Sequence, residues 1–138
     1  MIELKKNSKR IIIQTSEFKR DGRNLEFDLS GKFLEKIDGK NIYGTDGNVP
    51  RKQILDFYFI NNNEKIEVIK SYYSDLFEPV ITCLNGNNDT YCYTTAYLTE
   101  KEEVILTMQN SDGSGGYMVI FLFNKNGQIK DRIIGYQF

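Results

Sequence analysis

The chain has 138 residues, of which 40% are hydrophobic and 27% charged, and its formal net charge is −1. This balance is typical of a single globular domain over residues 1–138, and it argues against direct nucleic-acid binding, which normally needs a clear basic excess. The absence of histidine removes the commonest zinc ligand and general base, so we expect no metal and no cofactor.

The N-terminal segment "MIELKKNSKRIII" is basic and has only a short apolar run after its cations. A secretory signal needs about 7–15 apolar residues and a membrane-spanning helix about 20. We therefore expect a cytoplasmic protein with no membrane partner. Charge is uneven along the chain. Residues 1–23 carry seven Lys/Arg against three Asp/Glu, whereas residues 64–103 carry three against eight.

Alternating apolar residues predict strands over most of the chain. In "NLEFDLS", Leu25, Phe27 and Leu29 alternate with acidic residues, which is the period of a strand with one buried face. The segments "FDLSGKFLEKIDG" (27–39) and "FNKNGQIKDRIIG" (123–135) share their glycine spacing, which predicts two hairpins with Gly31 and Gly127 at equivalent turns.

Two further segments predict strands by composition. Aromatic and β-branched residues dominate "YCYTTAYLT", and "GYMVIFLF" is apolar at every position after its glycine. A strand that is apolar on both sides is typical of one whose two faces are both covered. The fold class that follows is mainly β, or α+β: an antiparallel meander of about six to eight strands, with one or two short helices between residues 50 and 78.

Residues 50–78 admit two interpretations. Pro50 could begin a short helix through Ile54, Leu55 and Tyr58. Residues 57–69 read as a third hairpin that turns at its asparagines. Residues 64–77 also fit an amphipathic helix that ends before Pro79, with its apolar side formed by Ile66, Ile69, Tyr73, Leu76 and Phe77.

The glycine-rich "NSDGSGG" (110–116) is the first candidate for chemistry. It lacks the lysine of a phosphate-binding loop and the alternating acidic ligands of a calcium loop. We interpret it as a turn between two strands, with Asp112 as a possible contact to a partner.

Cys83 and Cys92 flank "LNGNNDTY". A turn centred on Asn87–Asn88 would place them opposite each other, whereas a turn at Asn85–Gly86 would put them out of register. Two cysteines without histidine make a poor zinc site, and in a cytoplasmic protein we expect reduced thiols.

The C-terminal part "DGSGGYMVIFLFNKNGQIKDRII" (112–134) resembles immunity proteins of bacterial polymorphic toxin and contact-dependent growth-inhibition systems. The resemblance covers about a quarter of the chain, over residues 103–135. It implies a non-catalytic inhibitor that binds a cognate toxin domain, often a nuclease, and it carries over no catalytic residues.

We therefore predict a non-enzymatic protein that neutralises a toxin domain by direct binding. The alternatives are a small-ligand-binding β-barrel and a small hydrolase that uses carboxylate and tyrosine. An acidic surface would attract a basic partner, and aromatic anchors would hold it. The predicted partner-binding residues are Glu64, Glu67, Asp75, Glu78, Glu100, Glu102, Glu103, Tyr72, Tyr73 and Asp112, with Tyr91, Tyr93 and Tyr97 as further candidate anchors.

Overall fold

A computed structural model of the chain describes residues 1–87, 89–111 and 113–136. Its paired strands are antiparallel, so the predicted mainly β class is confirmed. The strands are β1 (Ile2–Lys6), β2 (Lys9–Glu17), β3 (Leu25–Phe27), β4 (Leu34–Ile37), β5 (Lys40–Asn41), β6 (Lys52–Asn61), β7 (Glu64–Glu67), β8 (Cys83–Asn85), β9 (Thr90–Cys92), β10 (Thr94–Leu98), β11 (Val104–Asn110), β12 (Tyr117–Phe123) and β13 (Ile129–Tyr136).

Eight of these strands form two four-stranded sheets, and the thirteen strands together exceed the predicted six to eight. Sheet I has the order β1-β2-β6-β7, and sheet II has the order β10-β11-β12-β13. The five other strands are only two or three residues long, apart from β4, and they form a small sheet β3-β4-β5 and the separate hairpin β8-β9. Among the described residues, no helix has the length and hydrophobicity that crossing a membrane would require.

The main core lies between the two sheets. Phe57 of sheet I packs edge-on against Phe121 of sheet II, with 5.1 Å between ring centroids, and Phe59 packs against Phe123 at 5.3 Å. All four rings are almost fully buried. Burying each such side chain stabilises the fold by roughly 1.5–3 kcal/mol, so this aromatic layer fixes the sheets face to face. Side chains of this layer therefore fill the space between the two sheets.

The region between residues 50 and 78 forms a hairpin. Strands β6 and β7 pair as a hairpin, and Asn61 opposite Glu64 is the pair next to the turn. Asn62 and Asn63 form this turn and both have positive φ (49° and 70°), as a tight type I′ turn requires. The third hairpin is thus confirmed, and the helices starting at Pro50 and over residues 64–77 are wrong. Of the predicted short helices, the structure has one 3₁₀ turn here, at Lys70–Tyr72. The extended conformation of this segment is favoured because it places Phe57 and Phe59 against sheet II.

The two glycine hairpins are confirmed. Strands β3 and β4 pair around Gly31 (φ 75°), and β12 and β13 pair around Gly127 (φ 86°). Each glycine N–H bonds the carbonyl three residues back, on Asp28 and Asn124 respectively. The side-chain oxygen of each of these residues also accepts backbone N–H groups of its own turn, so one local solution is used twice.

The predicted "NSDGSGG" turn is also confirmed, since β11 and β12 pair antiparallel on either side of it. The segment contains a second 3₁₀ turn at Gly113–Gly115. Gly115 is needed here because a Cβ at this position would lie 2.8 Å from the carbonyl oxygen of Gly44. Gly115 is therefore packed closely against another backbone segment.

The expectation of reduced cysteines is wrong. Cys83 and Cys92 are directly opposite in the β8-β9 hairpin, with their Cα atoms 4.1 Å apart, and they form a disulfide. The turn that decides this register includes residue 88, which lies outside the described residues. Register was the open question in the sequence, and the pairing of Leu84 with Tyr91 settles it.

Candidate functional site

The predicted acidic residues do not form one surface. Asp75 is bound within the chain by Arg132, whose guanidinium donates to its two carboxylate oxygens at 2.7 and 3.1 Å. The same guanidinium donates to the Tyr72 carbonyl at 2.9 Å. Both charged side chains are largely buried, with 21% of Arg132 and 13% of Asp75 exposed. Asp75 therefore holds the segment after β7 to strand β13.

Glu78 is engaged in a similar way. Its Oε1 atom accepts hydrogen bonds from the backbone N–H groups of Arg51 and Lys52, each at 2.8 Å. Its Oε2 atom accepts one from the Arg51 guanidinium at 3.2 Å. Glu78 has positive φ (53°), and its carboxylate holds this turn beside the start of β6. We do not place Asp75 or Glu78 in the site, because internal partners occupy their carboxylates.

The two predicted tyrosine anchors belong to the core. Tyr73 is only 6% exposed and packs against Phe57 at 5.7 Å. Burial, with the nearby charges of Asp56 and Glu67, raises the pKa of the Tyr73 phenol. Tyr72 is half-buried and packs against the main core.

The remaining acidic residues are separated by the fold. Glu64 and Glu67 are exposed on β7, an edge strand of sheet I. Glu100, Glu102 and Glu103 lie in the turn that joins β10 to β11 in sheet II. Asp112 lies outside the described residues.

A surface that the sequence analysis did not single out is the side of sheet II that points away from the core. Directly paired residues share a face, so the strand registers define this side in three rows. We call it the outer face. Its rows are Tyr97-Ile105-Leu122-Asp131, Thr95-Thr107-Ile120-Ile133 and Gln109-Met118-Gly135.

Six of the eleven residues of the outer face are apolar, and the face is largely uncharged. Asp131 is the one charged residue in the three rows, and it stands at the margin on edge strand β13. Tyr97 is 64% exposed and Ile133 51% exposed. None of the three rows contributes to either of the two buried hydrophobic clusters that the described residues form. Contiguous apolar patches of this kind mark interaction sites on soluble proteins.

Sheet I provides an internal comparison. The outward side of its central strands carries Ile12, Tyr58 and Ile60, but long charged side chains border these residues. Lys65, for example, places its ammonium 4.3 Å from the centre of the Tyr58 ring. The charged residues on this side are Glu3, Lys5, Arg10, Asp56, Lys65 and Glu67. The outward side of sheet I therefore carries six charged residues, whereas the outer face of sheet II carries one.

One end of the outer face carries the glutamates of the β10–β11 turn, with Lys101 in the same turn and Lys125 in the neighbouring β12–β13 turn. The β10–β11 turn closes with a hydrogen bond from the Thr99 N–H to the Glu103 carbonyl at 2.8 Å, immediately beyond the row that contains Tyr97. Glu100 and Glu102 are exposed there. Glu103 is half-buried and pairs with Lys130 at 3.1 Å. We call residues 99–103 the acidic turn.

The other end is bordered by the disulfide hairpin, β8-β9 with its turn. The Tyr93 carbonyl accepts a hydrogen bond from the Gln109 N–H at 2.8 Å, so the hairpin continues the edge of sheet II beyond β10. Tyr91, which is 48% exposed, bonds the Gln109 side chain at 2.6 Å and packs edge-on against Tyr93 at 5.2 Å. Two of the further candidate anchors, Tyr91 and Tyr97, thus border or belong to the outer face.

Strand β13 is an edge strand of sheet II, and its free edge is protected against pairing with a further strand. Arg132 points to the core side of this edge strand, opposite Phe121, and is held there by Asp75. An inward-pointing charge on an edge strand disfavours pairing with a further strand. Contact with another molecule is therefore directed to the face of sheet II rather than to this edge.

A signal for the outer face was present in the sequence. The run "YMVIFLF" (117–123) is apolar on both sides, which predicts that both are covered. Within the described residues, sheet I covers one side, where Val119 and Phe121 lie, and Met118, Ile120 and Leu122 are left on the other.

The described residues contain no group of three or more His, Cys, Asp or Glu side chains arranged to hold a metal ion. Comparison with known proteins finds no matching family model, no matching curated protein and no matching solved structure.

Proposed function

We propose that this chain is a non-catalytic binding protein that neutralises a cognate toxin domain by direct protein–protein contact. The observation that carries the proposal is the outer face, an apolar side of a four-stranded sheet with one charged residue, at its margin. The resemblance of the C-terminal segment to immunity proteins supports the same function, and that segment includes strands β12 and β13 of the face.

The dimensions of the surface fit this role. Four strands about 4.8 Å apart and three rows about 6.8 Å apart span roughly 400 Å². A stable protein–protein interface covers about 800 Å² on each partner. The acidic turn and the disulfide hairpin lie at the two ends of the outer face and can supply the remaining area. An apolar centre with a polar rim is the usual composition of such an interface.

The disulfide bears on where the protein acts. Disulfides persist in oxidising compartments and are rare in the cytoplasm. Cys83–Cys92 therefore favours an oxidising compartment over the cytoplasmic location that the sequence predicts. A count of free thiols in protein purified without reductant decides between the two.

The proposal is tested with the product of the gene adjacent to this one, since toxin and immunity genes are expected to be neighbours. Ile120→Lys introduces a charge at the centre of the outer face. Ile60→Lys is the matched control, because Ile60 is also a half-buried, outward-facing isoleucine on a central strand, in sheet I.

We expect Ile120→Lys to weaken binding at least about 100-fold, as loss of a central contact does, and to abolish protection in a growth assay. Ile60→Lys should bind within about threefold of the unaltered protein. Circular dichroism establishes that both variants are folded. Equal effects of the two substitutions, or no binding of the neighbouring product, would remove the support for this function.

A further inference from the structure

We infer that the partner's contact continues from the outer face onto one side of the disulfide hairpin, the side that carries Leu84 and Tyr91. We also infer that the Cys83–Cys92 bond controls whether this part of the surface is formed, so that the oxidised chain binds more tightly than the reduced one. This inference rests on the proposed function and adds the extent of the interface and its regulation.

The hairpin adds an exposed apolar pair to the outer face. Leu84 and Tyr91 are directly paired, so their side chains share one side of the hairpin. Both are exposed, Leu84 at 56%, and neither belongs to the buried hydrophobic clusters. The Tyr91 hydroxyl donates to the side chain of Gln109, which lies in the third row of the outer face. This side of the hairpin therefore adjoins the outer face and enlarges it toward the area that a stable interface covers.

The hairpin depends on its disulfide for a fixed shape. Its described residues, 83–87 and 89–92, are exposed apart from the half-buried Cys92, and its strands share three residue pairs. Its other bonds, such as that from the Thr90 hydroxyl to the Asn85 side chain at 3.2 Å, are exposed to water. A two-stranded hairpin of this kind is marginally stable by itself. A cross-link that closes a loop of this length shifts the balance between ordered and disordered chain by roughly 100-fold.

The base of the hairpin is fixed independently of the disulfide. Thr94 is almost fully buried, and its hydroxyl donates to the Val80 carbonyl at 2.7 Å. The Val80 N–H donates to the Asn110 side chain at 3.0 Å, and Ile81 packs against the main core. Opening the disulfide therefore releases residues 83–92 and leaves the two large sheets in place, which is local rather than global unfolding.

The chemistry of this control is thiol–disulfide exchange. A dithiol reductant passes two electrons and two protons to the Cys83–Cys92 bond, which breaks to two thiols while the reductant forms its own disulfide. The reverse reaction, with a disulfide as the electron acceptor, closes the bond in an oxidising compartment. Cys83 is exposed, so either reagent reaches it from solution. A chain that is reduced in the cytoplasm thus completes its binding surface only after oxidation.

The experiment measures the affinity of the neighbouring gene product for three forms of the protein. These are the oxidised protein, the protein reduced with dithiothreitol, and Cys83→Ser with Cys92→Ser in the absence of reductant, which excludes an effect of the reductant on the partner. Hydrogen exchange locates the segments that open. A second comparison, on the oxidised protein, sets Leu84→Lys against Asn85→Lys, because Asn85 is equally exposed but lies on the opposite side of the same hairpin.

We expect the reduced protein and the double-serine variant to bind at least about tenfold more weakly than the oxidised protein. Faster amide exchange should be confined to residues 83–92, while strands β11 and β12 keep their protection. Leu84→Lys should weaken binding at least about tenfold, because it places a charge in the contact. Asn85→Lys should weaken it less than about threefold.

The failures can be told apart. If Ile120→Lys abolishes binding but neither reduction nor Leu84→Lys weakens it, the extension onto the hairpin is wrong and the proposed function stands. If Leu84→Lys weakens binding but the reduced protein binds like the oxidised one, the control by the disulfide is wrong. Equal effects of Leu84→Lys and Asn85→Lys, or faster exchange throughout sheet II on reduction, would also overturn the inference. If the oxidised protein does not bind the neighbouring product, the proposed function fails and this inference fails with it.

Discussion

Replacement of Asp75 tests the distinction between a binding carboxylate and a structural one. Asp75→Ala removes both carboxylate acceptors from the Arg132 guanidinium, which then keeps only the Tyr72 carbonyl among the partners described above. Exposed ion pairs contribute about 0–1 kcal/mol, and breaking a fully buried pair costs about 3–5 kcal/mol. With 21% and 13% of the two side chains exposed, this pair lies nearer the buried case, although some water still reaches it.

We therefore expect Asp75→Ala to lower the free energy of unfolding by about 2–3 kcal/mol. Urea unfolding measures it, and for a slope of about 2 kcal/mol per molar the midpoint falls by about 1 M. Glu67→Ala is the control, because Glu67 is 75% exposed and lies 3.6 Å from Lys65. It should change the unfolding free energy by less than about 0.5 kcal/mol.

A double-mutant cycle isolates the pair. Arg132→Met removes the cation, and combining it with Asp75→Ala should cost at least about 1 kcal/mol less than the sum of the two single losses. The reasoning is refuted if the two losses are additive. It is refuted equally if Asp75→Ala moves the urea midpoint no further than Glu67→Ala does.

Three further predictions concern backbone space, thiols and pH. Gly44→Ala should unfold the protein or destabilise it far more than Gly39→Ala in thermal melts. Both glycines have positive φ, but a Cβ at 44 would clash with the Phe77 carbonyl oxygen, whereas a Cβ at 39 has nothing within 4 Å. Thiol titration of denatured protein without reductant should find no free thiol, and two free groups would contradict the Cys83–Cys92 bond. Burial raises the pKa of Tyr117. The folded state therefore holds this proton more tightly than the unfolded state, and the stability it contributes is complete below about pH 10 and is lost as pH rises through the folded-state pKa. An absorbance titration should show this phenol ionising only as the protein unfolds, and ionisation with the exposed tyrosines would contradict its burial.

The hydrogen bonds of the buried Tyr117 hydroxyl show what ionisation of this phenol would disrupt. Its hydroxyl donates to the Phe77 carbonyl at 2.8 Å and accepts from the Asn110 amide at 3.2 Å. The Asn110 oxygen in turn accepts the Val80 N–H at 3.0 Å. These buried bonds tie residues 77–80 to sheet II, and an ionised phenol would lose its bond to the carbonyl.

Local patterns in the sequence determined the strands and their two sides. The segment "YCYTTAYLT", rich in aromatic and β-branched residues, and the apolar run from Tyr117 to Phe123 favour extended backbone, because such side chains pack well on a pleated sheet. The turns at Gly31 and Gly127 could also be predicted from the sequence, since a turn depends on a few neighbouring residues. The interpretation as helix failed at Pro50 because a helical spacing of apolar residues also fits a strand that packs across sheets.

Only the tertiary structure decided which of these features remain available to a partner. Asp75 is 57 residues from Arg132 in sequence, so its salt bridge could not be read from local composition. Cys83 and Cys92 depended on the register of one hairpin, which a shift of a single residue would have changed. Val119 and Ile120 are adjacent apolar residues of one strand, and the sequence marks no difference between them. The packing of sheet I onto one side buries Val119 and leaves Ile120 on the other, because burial is a property of what lies opposite a residue, and in this chain that is supplied by strands distant in sequence.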